Sequence, residues 1–153
     1  MKISFEKKPT RKADAAVVFV AAGDKLTGEA QRLDKKTKGA IKRAMKAEGF
    51  AGEKGKVLAV SGAAGISAGH IVVVGLGKPR ELKARDFEAI GSSLTSALNK
   101  HKAASAQVLF DDDACHESKV AAAAHLAEGM LLNSYRFDKY LTREPKEKKP
   151  TPR

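Results

Sequence analysis

Two stretches of the chain are apolar without interruption, Ala15-Ala16-Val17-Val18-Phe19-Val20-Ala21 and Ile71-Val72-Val73-Val74. Strands with one wet face alternate, whereas β-branched runs like these predict strands covered on both faces. Shorter strands are expected at Lys2–Glu6, at Lys56–Ser61, close enough to His70–Val74 to pair with it as a hairpin, and at Gln107–Phe110. Between them the apolar period lengthens to that of a helix. A helical turn around Gly28–Leu33 leads to a helix from Thr37, as N-cap, to Glu48, with Gly49 in the C′ position. Phe87, Ile90, Leu94, Ala97 and Leu98 share one face of a helix over Ala84–His101. Val120, Ala124, Ala127 and Leu131 share what reads as the buried face of a last helix over Cys115–Ser134. Strands alternating with helices around two wholly apolar runs predict an α/β domain with helices on both faces of a mixed sheet. Beyond Tyr140 the chain turns rich in Pro and Lys, so residues 1–141 read as one folded domain and 142–153 as a basic linker or tail. Tyr135, Phe137 and Tyr140, where the last helix gives way to that segment, are expected to pack against the domain and stabilise it.

At 153 residues the chain is long enough for one core. Aromatic residues are only 5% and Trp is absent, so that core must be built mainly from Ala, Val, Leu and Ile. Cys115 is the single cysteine, which rules out an intrachain disulfide and a four-thiolate zinc site and fits a reducing compartment. Charges in Met1–Lys8 stand where a secretory leader needs apolar residues, and no run approaches the roughly 18 apolar residues of a membrane span. A cytoplasmic protein without membrane contact is expected.

The net charge of +11 is unevenly spread. Residues 1–12 carry 5 basic and 1 acidic side chains, 35–56 carry 8 and 2, and 136–153 carry 7 and 3. Such segments can attract nucleic acid through long-range fields and counterion release. Lys35, Lys38, Lys42 and Lys46 recur at helical spacing and predict one stripe on the second helix. No aromatic is interleaved and Lys outnumbers Arg, which points to a solvated helix face rather than base readout. Weak, sequence-independent DNA binding is the most such a stripe predicts.

The candidate chemistry is sparse. Gly75-Leu76-Gly77-Lys78 follows a strand, where a phosphate loop would begin, but a dinucleotide fingerprint needs glycine where Arg80 stands. A P-loop needs glycine at Val72 and Ser or Thr at Pro79, so a structural turn is the stronger reading. Asp111, Asp112, Asp113, Cys115, His116 and Glu117 are the densest set of ligand types, yet carboxylates beside a soft thiol suit no single metal well. Asp113 as helix cap and Glu117 in the first turn account for them more simply. His70, His101, His116 and His125 are scattered, with no partner at the spacing of a triad and no His-Glu-x-x-His pair. No catalytic, cofactor-binding or metal-binding residue is assigned.

Met1-Lys2-Ile3-Ser4-Phe5, the Ala15–Val20 strand, Ile71-Val72-Val73-Val74-Gly75-Leu76-Gly77-Lys78 and the segment from Glu128-Gly129 to Tyr140 resemble, in order and spacing, the amino-terminal domain of bacterial leucyl aminopeptidases. The resemblance implies a macro-domain-like, three-layer α/β/α fold with a mixed sheet of about six strands. It implies a parent enzyme, usually a hexamer, whose carboxyl-terminal domain releases amino-terminal residues from peptides with two divalent metals, zinc or manganese. The family's metal-binding lysine and aspartates have no counterpart here, so the chain itself is expected to be non-catalytic. Its implied work is packing against the catalytic domain and assembling the hexamer, and DNA binding is known in some bacterial members. A macro-type fold also implies an alternative, a nucleotide such as ADP-ribose held in the crevice at the strand ends near Gly75–Lys78.

Overall fold

A computed structural model describes residues 2–5, 12–23, 26, 28–111 and 118–135. The chain order is β1 (Ala15–Ala21), α1 (Gly28–Lys36), α2 (Ala40–Glu48), β2 (Val57–Ser61), β3 (His70–Gly77), α3 (Ala84–Lys100), β4 (Ala106–Val108) and α4 (Lys119–Ser134). A single 3-10 turn, Pro79–Glu81, leads into α3. The sheet runs β2-β3-β1-β4, with β1 parallel to both β3 and β4 and β2 antiparallel to β3.

The two apolar runs are the two inner strands, as a run covered on both faces requires. Ala15, Val17 and Phe19 of β1, with Val72, Val74 and Leu76 of β3, pack under α3 and α4. The alternate residues Ala16, Val18, Val20, Ile71 and Val73 pack under α1 and α2. The result is a three-layer α/β/α domain with a mixed sheet. Each fully buried Val or Ile in these strands contributes roughly 1.5–3 kcal/mol over leaving it exposed. The hairpin expected between Lys56–Ser61 and His70–Val74 is present as β2 and β3.

Several expectations are corrected. Residues 2–5 form no strand, Glu6 lies outside the described residues, and the described sheet has four strands rather than about six. Thr37 does not open the second helix; it is buried and its Oγ1 donates to the carbonyls of Leu33 (2.8 Å) and Asp34 (3.2 Å), closing α1. The start of α2 falls to Gly39, whose φ of 82° favours glycine, and to the buried Asp34, whose Oδ1 accepts from the Lys42 amide at 3.0 Å. One helix thus caps the next. The lysine stripe is broken by the same corner, with Lys35 on α1, Lys38 in the turn at φ 54°, and only Lys42 and Lys46 on α2. Ser118 is the N-cap of α4, which begins at Lys119, and Cys115, the expected start of this helix, lies outside the described residues.

At the start of α3, Asp86 accepts from the Lys83 amide (2.9 Å) and from Lys54 Nζ (2.9 Å), tying the helix end to the loop before β2. The Lys83 amide first, and Lys54 second, hold its carboxyl below the usual aspartate range. A lowered folded-state pKa adds stability that is full above about pH 4, the ordinary aspartate value, and is lost as pH falls through the lower folded value. Asp86→Asn should therefore cost roughly 0.5–1 kcal/mol at neutral pH. Thermal melts at falling pH should show the variant and the parent converge in acid. A gap that persists there would assign the loss to packing.

Candidate functional site

The parallel strands β1, β3 and β4 end on the same side of the sheet, and in open α/β sheets that side offers a ligand crevice. The start of α1 faces it. Its Glu29 amide donates to Asp111 Oδ1 at 2.8 Å, and a Cβ built on Gly28, at φ 53°, would run into the same carboxylate. The helix end that could take a phosphate already holds a carboxylate from the end of β4, and an incoming anion would meet like charge.

Gly75, Leu76 and Gly77 are the last residues of β3 rather than a turn, and they are committed to the backbone as well. The Gly75 amide donates to the Lys56 carbonyl (2.8 Å) and the Gly77 amide to the Gly52 carbonyl (2.8 Å), while the Gly77 carbonyl accepts from Ala22 (2.7 Å). Leu76 is buried in the core, and Lys78 Nζ lies 3.6 Å from Glu81 on the surface. A Cβ on Gly75 would collide with the Glu53 carbonyl. These glycines admit the neighbouring loop, and the turn expected at Gly75–Lys78 comes later, at Lys78 and the 3-10 turn Pro79–Glu81, because β3 continues to Gly77.

Of the acidic cluster, Asp111 is placed as above; Asp112, Asp113, Cys115, His116 and Glu117 lie outside the described residues, and with them the Asp113 cap. The histidines are less scattered than their spacing suggests. His70 Nδ1 sits 2.9 Å from Ser61 Oγ across the hairpin, and its ring lies 5.4 Å from that of His101. His125 on α4 stands between Glu88 of α3 and Glu128. The i,i+3 spacing of His125 and Glu128 was visible in sequence, but their meeting with Glu88 depends on how two helices cross.

The largest departure from expectation is the outer surface of α4. The stripe read as its buried face points outward, with Val120 78% and Leu131 44% exposed and Ala124 exposed between them. Its buried residues are Ala122, Leu126, Gly129 and Met130. Leu132 and Tyr135 are also exposed, at 66% and 67%, so Tyr135 does not pack into the domain as expected, and Phe137 and Tyr140 lie outside the described residues. The helix is therefore apolar on two faces, one turned to the core and one turned outward.

The family model described as the amino-terminal domain of the cytosol aminopeptidase family matches residues 17–144. The chain belongs to this family. A probable cytosol aminopeptidase of Agrobacterium fabrum is 33% identical over 99% of the chain, which spans 30% of that relative's length. Among solved structures, a tomato leucine aminopeptidase mutant superposes on this chain with a TM-score of 0.71 at 24% identity, covering 92% of this chain and 28% of the other. The macrodomain of Mycobacterium tuberculosis DarG superposes with a TM-score of 0.62 at 16% identity, over 78% of this chain and 82% of its own. These likenesses establish the macro-domain-like fold that the sequence resemblance implied. No helix among the described residues is long and apolar enough to cross a membrane.

Proposed function

We propose that this chain is the non-catalytic, assembly-directing part of a metal-dependent leucyl aminopeptidase, working in the cytoplasm. The observation that carries the reading is the outward apolar stripe of α4 in a chain that spans less than a third of its aminopeptidase relative. A surface of this kind is stabilised when covered, and the partners that the family supplies are a catalytic domain of the same protein and further copies in a hexamer. The two divalent metals, zinc or manganese, and peptide hydrolysis belong to the catalytic domain; on this chain the start of α1 at the candidate crevice is occupied by its own Asp111, which supports the reading.

The test has two stages. The reading frame downstream of codon 153 should continue into a catalytic domain, and the 153-residue chain alone should not hydrolyse leucine p-nitroanilide with added zinc or manganese. In the longer protein, Val120→Lys together with Leu131→Lys should leave the far-UV spectrum unchanged while breaking the assembly into smaller species by sedimentation. Unaltered sedimentation would remove the stripe from the interface, and metal-dependent turnover by the short chain would end the non-catalytic reading.

A second reading, non-specific nucleic-acid binding, is favoured by one observation. Lys35, Lys36, Lys38, Lys42, Arg43 and Lys46 are all exposed around the α1–α2 corner. Such binding would track phosphates rather than sequence and fall steeply with salt.

A further inference from the structure

We propose that Glu88, His125 and Glu128 form a divalent-metal site of the zinc class at the seam between α3 and α4. The seam is fixed by two glycines. A Cβ on Gly129 would strike the Glu88 carbonyl, and a Cβ on Gly91 would strike the Leu126 carbonyl, so the two helices touch backbone to backbone. Glu88 is one turn before Gly91, and His125 is one turn before Gly129. The close approach therefore brings a carboxylate and an imidazole from different helices to the same place. The i,i+3 spacing adds Glu128 from the same helix as His125. Thr95, wholly buried on α3, donates to the Met130 carbonyl at 3.4 Å and Asn133 donates to Ser96 Oγ at 2.9 Å, pinning the crossing further along. Ligands carried on locked helices meet the demand that a metal site be built on rigid elements.

The geometry suits an ion. One ligand atom from each of the three residues lies within 4.8 Å of the others. His125 Nδ1 is 3.3 Å from Glu88 Oε1 and 3.7 Å from Glu128 Oε2. Metal bonds of about 2.0–2.2 Å in a tetrahedron put ligand atoms about 3.3–3.6 Å apart, so two edges are close to formed and the exposed Glu128 can swing to close the third.

Independent of these distances, His125 Nδ1 is removed from solvent and has no hydrogen-bond partner although two carboxylates flank it. A buried polar atom left without a partner calls for an explanation, and an ion is one that also satisfies both carboxylates. One imidazole with two carboxylates is a nitrogen and oxygen donor set, which suits zinc and its borderline neighbours above magnesium or calcium. With the side chains of Glu88 and His125 each more than a third exposed, water would complete the coordination.

The test uses the 153-residue chain stripped with a chelator and titrated calorimetrically with zinc chloride, with magnesium chloride as the contrast. One equivalent of zinc should bind, raise the melting temperature as occupancy saturates, and outcompete magnesium. His125→Gln and Glu88→Gln should each weaken zinc by at least about tenfold, since even residues that only support a ligand cost that much. Zinc-edge X-ray absorption of the unsubstituted protein, which depends on no variant folding, should show nitrogen and oxygen neighbours only. Absence of a stoichiometric event, equal affinity in the variants, or sulfur from Cys115 around the metal would overturn the site. The three residues would then be a surface histidine flanked by two carboxylates and no more.

Discussion

Replacing Gly129 with alanine should lower the melting temperature by roughly 6–12 °C, the equivalent of about 3 kcal/mol in a domain of this size. The added Cβ would fall on the Glu88 carbonyl oxygen, with the Glu88 carbonyl carbon at 2.6 Å and its Cα at 2.7 Å. The obstacle is backbone in the middle of a helix, which cannot rotate away as a side-chain tip would. Relief requires α3 and α4 to separate, and separation loosens Leu126 and Met130 from the core they share with Ile90 and Leu94. Gly69→Ala is the matched control, because its Cβ would meet only the Asp14 carbonyl, at an ordinary 3.6 Å, and its φ is not in the left-handed region. If Gly129→Ala melts as close to the parent as Gly69→Ala does, the helices do not cross as tightly as described, and the metal site loses the feature that brings its ligands together.

The elements that the sequence announced clearly are those where a single effect dominates. β1 and β3 could be recognised because unbroken apolar runs leave no wet face, and α3 because Phe87, Ile90, Leu94 and Leu98 face the core while polar residues fill the other side. Where two readings had similar local merit, tertiary contacts decided. Thr37 has the side chain of an N-cap, but the chain turns through Lys38 and Gly39 before the next helix starts, and Asp34, eight residues before Lys42, supplies the capping oxygen. The Lys-rich corner had a helical period by composition while its backbone was not one helix. His125 and Glu88 lie 37 positions apart, and only the glycine-mediated crossing joins them. The fold class, by contrast, needed no such contacts, since the alternation of strands and helices sufficed.

Leu126→Ala should destabilise the domain by about 3 kcal/mol, or roughly 6–12 °C, while Leu132→Ala should stay within about 0.5 kcal/mol of the parent. Leu126 is 3% exposed and Leu132 is 66% exposed, so only the first leaves a cavity when shortened. The comparison tests the rotational setting of α4, which its sequence leaves ambiguous. Ala, Leu, Val and Met occur around most of this helix, so apolar periodicity alone selects Val120, Ala124, Ala127 and Leu131 as readily as the set that is buried. Two small residues break the tie: Gly91 and Gly129 allow an approach that larger side chains would block, and the helix settles with that face inward. Hydrophobicity thus identified a real stripe and assigned it the wrong side. Val120→Ala and Leu131→Ala should accordingly cost little in the isolated domain, the second somewhat more because Leu131 is 44% exposed. Were Val120→Ala and Leu131→Ala to cost as much as Leu126→Ala, α4 would be turned by about half a revolution, its apolar stripe would be core, and the surface proposed to direct assembly would not exist.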